Sequence, residues 1–166
     1  MKHHSQAISV RIAEISDADP LSRLINQAFV VERPIFEGDR TNPDQVRSLM
    51  AKGKFLIASD SSASDSLKMI GCVYVEVRSD RGYVGLLSVD PSRQGSGLGR
   101  TLMSSAEEFF RSAKCVAADL RVVSPRTPLP AFYRHLGYVE THTSELPAEI
   151  RAKIPCHYVH MSKKLG

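Results

Sequence analysis

The chain of 166 residues contains no tryptophan and only three cysteines. Cys72, Cys115 and Cys156 are odd in number, far apart and form no C-x-x-C pair. That pattern argues against a disulfide framework or a zinc ribbon. Each cysteine lies in or beside an apolar, strand-like run, so buried free thiols in a reducing compartment are expected. No apolar run reaches the roughly 20 residues of a membrane span. The first residues, Met1 to Gln6, lack the apolar core of a secretory leader. The expectation is a soluble, cytoplasmic protein with no membrane partner. There is also no Lys/Arg block and no basic stripe carrying aromatics, so the net charge of +4 does not argue for nucleic acid. No metal site is expected. His157 and His160, three apart in a strand, face opposite sides. Cys156 and His160 share a face but stand too far apart in an extended chain to meet one ion. Cys115 has no evident activating partner, which argues against a thiol nucleophile.

What is present is ordinary for one globular domain: 42% apolar and 24% charged residues. A single domain over residues 1–166 is expected, large enough to bury a core. Ile8, Val10 and Ile12 alternate with polar residues as a strand does. Asp17 is a candidate cap for a helix whose apolar face is Leu21, Leu24, Ile25 and Phe29. Residues 30 to 53 read as a connection holding a short helix near Arg47 to Met50, and as a candidate acceptor side of a cleft. Phe55 to Ala58 is a strand and Ser59 to Ser66 a turn tip. Met69 to Val77 and Tyr83 to Val89 flank a hairpin turn at residues 78–82. Residues 116 to 123 form a further strand, 124 to 130 an irregular stretch with three prolines, and Leu129, Phe132 and Leu136 one face of a short helix stopped by Gly137. The last strands are 138–141 and 157–163, with a short helix near Pro147 between them. The sum is a mixed α/β chain with a central, mostly antiparallel sheet.

The densest signal lies between Leu86 and Arg111. Asp90-Pro91 ends an apolar strand. Gly95, Gly97 and Gly99 follow at alternate positions, and a helix opens with Leu98, Leu102, Ala106, Phe109 and Phe110 on one face. A strand, a glycine loop and a helix start together make an anion cradle, because the first helical turn has free N–H groups and a dipole that favours negative charge. Arg93 and Arg100 bracket the loop. The glycine spacing fits neither a Walker loop nor the G-x-G-x-x-G dinucleotide fingerprint.

The segment Gln94-Gly95-Ser96-Gly97-Leu98-Gly99 resembles the Gln/Arg-x-x-Gly-x-Gly/Ala loop of the GCN5-related N-acetyltransferase (GNAT) superfamily, and Leu87 to Pro91 resembles that family's strand into the loop. The resemblance implies the acyl-coenzyme A acyltransferase fold with acetyl-coenzyme A as cosubstrate. Gln94, Gly95, Ser96, Gly97, Leu98, Gly99 and Arg100 would then hold the pyrophosphate. Leu87, Ser88 and Val89 would pair with the pantetheine arm at a strand bulge. Ala131 to Tyr138 resembles the family segment whose tyrosine is the general acid, which points to Tyr133. A phenol keeps its proton at neutral pH and can give it to a nascent thiolate. Family glutamates have no counterpart at Gly85 and Arg121, and a family asparagine is replaced by Arg126. The general base is therefore open, with Glu32, Glu37 and Glu76 as candidates. Arg126 is a candidate holder of an acceptor carboxylate or a cofactor phosphate. The expected reaction is direct acetyl transfer to the primary amine of a small molecule. A protein N-terminus or lysine, and a non-catalytic acyl-coenzyme A binding module, are the alternatives. A homodimer paired through the final strands would fit this architecture.

Overall fold

The computed structural model describes residues 8–62, 68–125 and 128–166. Strand β1 is Ile8–Ile12, helix α1 Ala18–Ala28, helix α2 Pro43–Met50, and strands β2, β3 and β4 are Lys54–Asp60, Met69–Arg78 and Arg81–Val89. Helix α3 is Leu98–Ser112, strand β5 Ala117–Ser124, helix α4 Pro128–His135, and strands β6 and β7 are Val139–Glu145 and His157–Lys164. The seven strands form one sheet in the order β1-β2-β3-β4-β5-β7-β6. Every neighbouring pair is antiparallel except β4 and β5, which run parallel across the α3 crossover.

Alternation along the central strands sends side chains to two separate cores. Leu56, Ala58, Val73 and Val75 turn to one face, where Leu98, Leu102, Ala106 and Phe110 of α3 cover them together with Tyr133 and Tyr138. Phe55, Ile57, Cys72 and Tyr74 turn to the other, under Leu21, Leu24 and Ile25 of α1 and Val46 of α2. Full burial of an aliphatic or aromatic side chain of this kind contributes about 1.5–3 kcal/mol, which is what the helical spacing of the α1 and α3 stripes achieves.

Several sequence expectations need correcting. Ser59 and Asp60 belong to buried β2, not to a turn tip; the turn takes Ser61 and Ser62, and residues 63–66 lie outside the described residues. The hairpin between β3 and β4 turns on Ser79 and Asp80 alone, with Arg78, Arg81 and Gly82 in the strands. Pro128 and Pro130 open α4 rather than preventing it, because first-turn N–H groups have no helical partner to lose. Pro147 starts a turn, closed by the Ile150 N–H on its carbonyl at 3.0 Å, and no helix forms there. Asp17 stands at the N-cap of α1 without capping it. Its carboxylate instead accepts from the Glu14 N–H at 2.7 Å and from Arg11 at 2.8 and 2.9 Å. Cys72 and Cys115 are buried, whereas Cys156 is partly exposed.

Candidate active site

Strands β4 and β5 pair only from Arg81↔Ala117 to Tyr83↔Asp119. Beyond that point β5 keeps its other neighbour, β7, as far as Ser124↔His157. The edge of β4 from Val84 to Val89 that faces β5 therefore has no strand partner among the described residues. Unpaired N–H and C=O groups along a strand seek an extended ligand chain, as in strand addition. On its other edge β4 bulges. Cys72 faces Ser88 and Tyr74 faces Gly85, so two residues, Leu86 and Leu87, stand against Val73. Leu86 takes φ +53°, rare for a residue with a branched side chain. The buried Ser88 hydroxyl donates to the Leu86 carbonyl at 2.9 Å and so closes the bulge upon itself. Leu87, Ser88 and Val89 thus lie on the stretch of β4 that flanks the open gap.

The glycine loop lies at the far end of that gap. Gly95 and Gly97 both have φ +82°, and a Cβ on either would project into open space. Gly97 is the N-cap of α3 and offers no side-chain cap, so the first amides of α3, from Leu98 onward, keep free donors. Gly99 differs from the other two: it is helical, and a Cβ there would come within 3.4 Å of Phe132 Cζ and 4.0 Å of Leu87 Cδ2. It serves close packing of α3 against α4 and β4. Gln94, Ser96 and Arg100 are exposed, while Leu98 turns into the core and offers its amide alone. Arg93 is not a free cation at the loop. It donates to buried Asp60 at 2.8 Å, which ties the loop to β2. Hydrogen bonds from Ser62, and then from Arg93, hold the Asp60 carboxyl below its usual range. The loop therefore fits a diphosphate through backbone donors at a helix start, with Arg100 as the adjacent exposed cation.

Tyr133 is the most buried residue of α4, at 7% exposure. It packs edge-on against Phe132 at 5.1 Å and Tyr138 at 6.0 Å between ring centres. Phe132, its neighbour, is the residue that meets Gly99, so α4 packs against the start of α3, and Tyr133 shares the core beneath α3. Glu76 is less suited to be a base. Its carboxylate accepts from the Tyr74 hydroxyl at 2.6 Å and from the Arg78 guanidinium. Burial works to raise its pKa, but these two hydrogen bonds prevail and lower it. Glu32 is buried and Glu37 exposed. Arg126 lies outside the described residues.

The second side of the gap is a feature that residue spacing did not reveal. On the face that carries α1 and α2, the β5-β7-β6 part of the sheet presents Asp119, Arg121, Tyr158, His160, Ser162, His142 and Ser144. The His142 and His160 rings, on different strands, stack 4.1 Å apart with 8° between planes. The His160 Nε2 lies 2.7 Å from the Ser144 hydroxyl. Burial first, and then the neighbouring His142 and Arg121, lower the His160 pKa. Connections on this side also meet: Phe36 and Ala152 form a bridge, and the Lys153 N–H donates to the Ile35 carbonyl at 2.6 Å. Only the pairing of distant residues reveals this contact, which no local pattern announces. Among the described residues, no three His, Cys, Asp or Glu side chains come close enough to hold a metal ion. No helix among them is long and apolar enough to cross a membrane.

A family model described as the acetyltransferase (GNAT) family matches residues 21–138. Solved structures agree in fold. The Ard1 protein of Thermoplasma volcanium superposes with a TM-score of 0.78 at 15% identity, covering 96% of this chain and 99% of the other. The yncA protein of Salmonella typhimurium, solved with its cofactor acetyl-CoA, gives 0.73 at 18% identity, covering 96% and 95%. The ribosomal-protein-S18-alanine N-acetyltransferase of Escherichia coli gives 0.72 at 15% identity, covering 96% and 94%.

Proposed function

Because the chain belongs to the GNAT acetyltransferase family, whose cosubstrate is acetyl-coenzyme A, we propose that it moves an acetyl group directly onto the primary amine of a small molecule. The cosubstrate supplies the acyl group already activated as a thioester. The protein's part is to bind, aim and move protons. Backbone donors from Gly95 to Arg100 would hold the diphosphate, and the unpaired edge of β4 at Leu87 to Val89 would hold the arm in extended form. Amides near the bulge would polarise the thioester carbonyl, since fixed donors in a water-poor gap stabilise developing charge. Tyr133 would return a proton to the departing sulfur. The amine would approach from the face carrying α1 and α2. The join between residues 35–36 and 152–153 ties together two connections on this side, and a mouth braced in this way supports a small acceptor over a folded protein. A second copy would find the outer edge of β6 without a strand partner among the described residues.

The observation that carries this reading is the gap itself: β4 leaves β5 after Tyr83, beside a bulge and a glycine-flanked helix start. The test is thiol release from acetyl-coenzyme A across a panel of small amines and N-terminal peptides, in wild type and Tyr133→Phe. Small amines should release thiol. The variant should lose about 10²-fold or more in maximal rate with cosubstrate affinity nearly unchanged. An unaltered rate with the best acceptor rejects the tyrosine's role. Binding of the cosubstrate without release for any amine would make the protein a binding module instead.

A further inference from the structure

Arg121 stands on β5 two residues beyond the last β4 pairing. Extending the register from Arg81↔Ala117 by four residues on each strand puts it opposite Gly85, where the gap begins to widen. Its guanidinium is seated over the Tyr158 ring, 4.2 Å from the centroid. That contact orients the cation without neutralising it. The residue is exposed, and no carboxylate among the described residues forms an ion pair with it. The nearest acid on the same strand and face, Asp119, is already engaged. Arg81 donates to it twice, at 2.7 and 2.6 Å, and the Ser162 hydroxyl donates as well. Across β7, Arg121 pairs in register with His160, and His160 with His142 on β6. The patch thus holds one fixed cation, two imidazoles and the hydroxyls of Ser144, Tyr158 and Ser162, and its neighbouring carboxylate is spent.

A planar guanidinium held in this way is built for a two-oxygen anion, which it grips bidentately. The diphosphate cradle lies on the opposite face of the sheet with α3, so the anion at Arg121 belongs to the other reactant. That reactant must also place its amine in the gap beside Gly85. We propose that the acceptor carries a carboxylate a few bonds from its amine, as an amino acid does, and that Arg121 binds that carboxylate. The inference rests on the acetyl-transfer reading above and names its substrate class.

The experiment compares thiol release for the common L-amino acids and β-alanine, each against its own carboxamide. Wild type should prefer the free acid of its best acceptor by about 10- to 100-fold in kcat/KM, the range of one charge-assisted bidentate contact. Arg121→Gln should erase that preference, chiefly through KM for the acid, and Arg121→Lys should restore part of it. Calorimetry with acetyl-coenzyme A should give one affinity for all three proteins. Equal use of acids and amides by wild type, a preference that survives in Arg121→Gln, or lost cosubstrate affinity in that variant would each overturn the proposal while leaving acetyl transfer intact. Failure of acetyl transfer itself would show separately, as absent thiol release for every amine in wild type.

Discussion

Ser88 connects packing to chemistry more directly than its type suggests. A serine in an apolar strand must bond its hydroxyl, because an unmet buried hydroxyl costs about 1–3 kcal/mol. Here it meets the carbonyl of Leu86, two residues back, at the positive-φ corner of the bulge. Such backbone conformations persist only when the surroundings enforce them. Opposite Ser88 sits Cys72, whose thiol is pushed up to about 12 by burial and is therefore inert as a nucleophile. Ser88→Ala should lower stability by about 1–2 kcal/mol, read from the urea midpoint. It should also lower kcat/KM for acetyl-coenzyme A, because the bulge relaxes. A variant that loses stability but keeps its kinetics would show that the bulge does not need this bond.

At the scale of elements, the glycine loop and α3 divide their work. Gly95 and Gly97 give positive φ and an uncovered backbone, whereas Gly99 gives room for Phe132. Gly97→Val forces a β-branched residue into the left-handed region and places methyls where the anion would sit. Acetyl-coenzyme A affinity by calorimetry should fall on the order of 100-fold or more, the loss of at least two charge-assisted hydrogen bonds. Wild-type affinity in a folded variant would contradict the cradle. This loop, the α3 stripe and the β3–β4 hairpin were legible in sequence because each is local: a spacing of three or four, an alternation of two, a turn of fixed chemistry. Helix α4 was legible only in part, since Pro128 and Pro130 read as breakers until their place in a first turn is known. The loss of pairing after Tyr83 and the His142–His160 stack join residues far apart in the chain, so no window of sequence holds them.

For the whole molecule, charge sets the pH range of the fold. Asp17, Asp60, Asp90 and Asp119 all have lowered pKa values, each led by a hydrogen bond that favours the anion: Arg11 for the first, Ser62 for the second, Ser92 for the third and Arg81 for the fourth. Their contribution is complete above the ordinary carboxylate range and is lost as pH falls through the lowered values. His160, lowered by burial, acts in the same direction at higher pH. Its contribution is complete above about 6.5 and fades as pH drops below that. Cys72, Tyr74 and Tyr138 are raised by burial, so they favour the fold until pH climbs past their ordinary values. Thermal midpoints should therefore be highest near pH 7 to 8, ease off below about 6.5, fall steeply below about 4 and decline again above about 9. A midpoint that rises on going from pH 7 to pH 4 would contradict the ion pairs described above. The sheet that these pairs brace is split between β4 and β5, with the proposed diphosphate cradle on one face and the proposed acceptor patch on the other. The direct measurement of that division is a crystal structure of the protein with acetyl-coenzyme A. The diphosphate should lie on the amides of residues 95–100 and the thioester arm along Leu87 to Val89 inside the gap. A ligand bound elsewhere, or a gap closed by continued β4–β5 pairing, would contradict it.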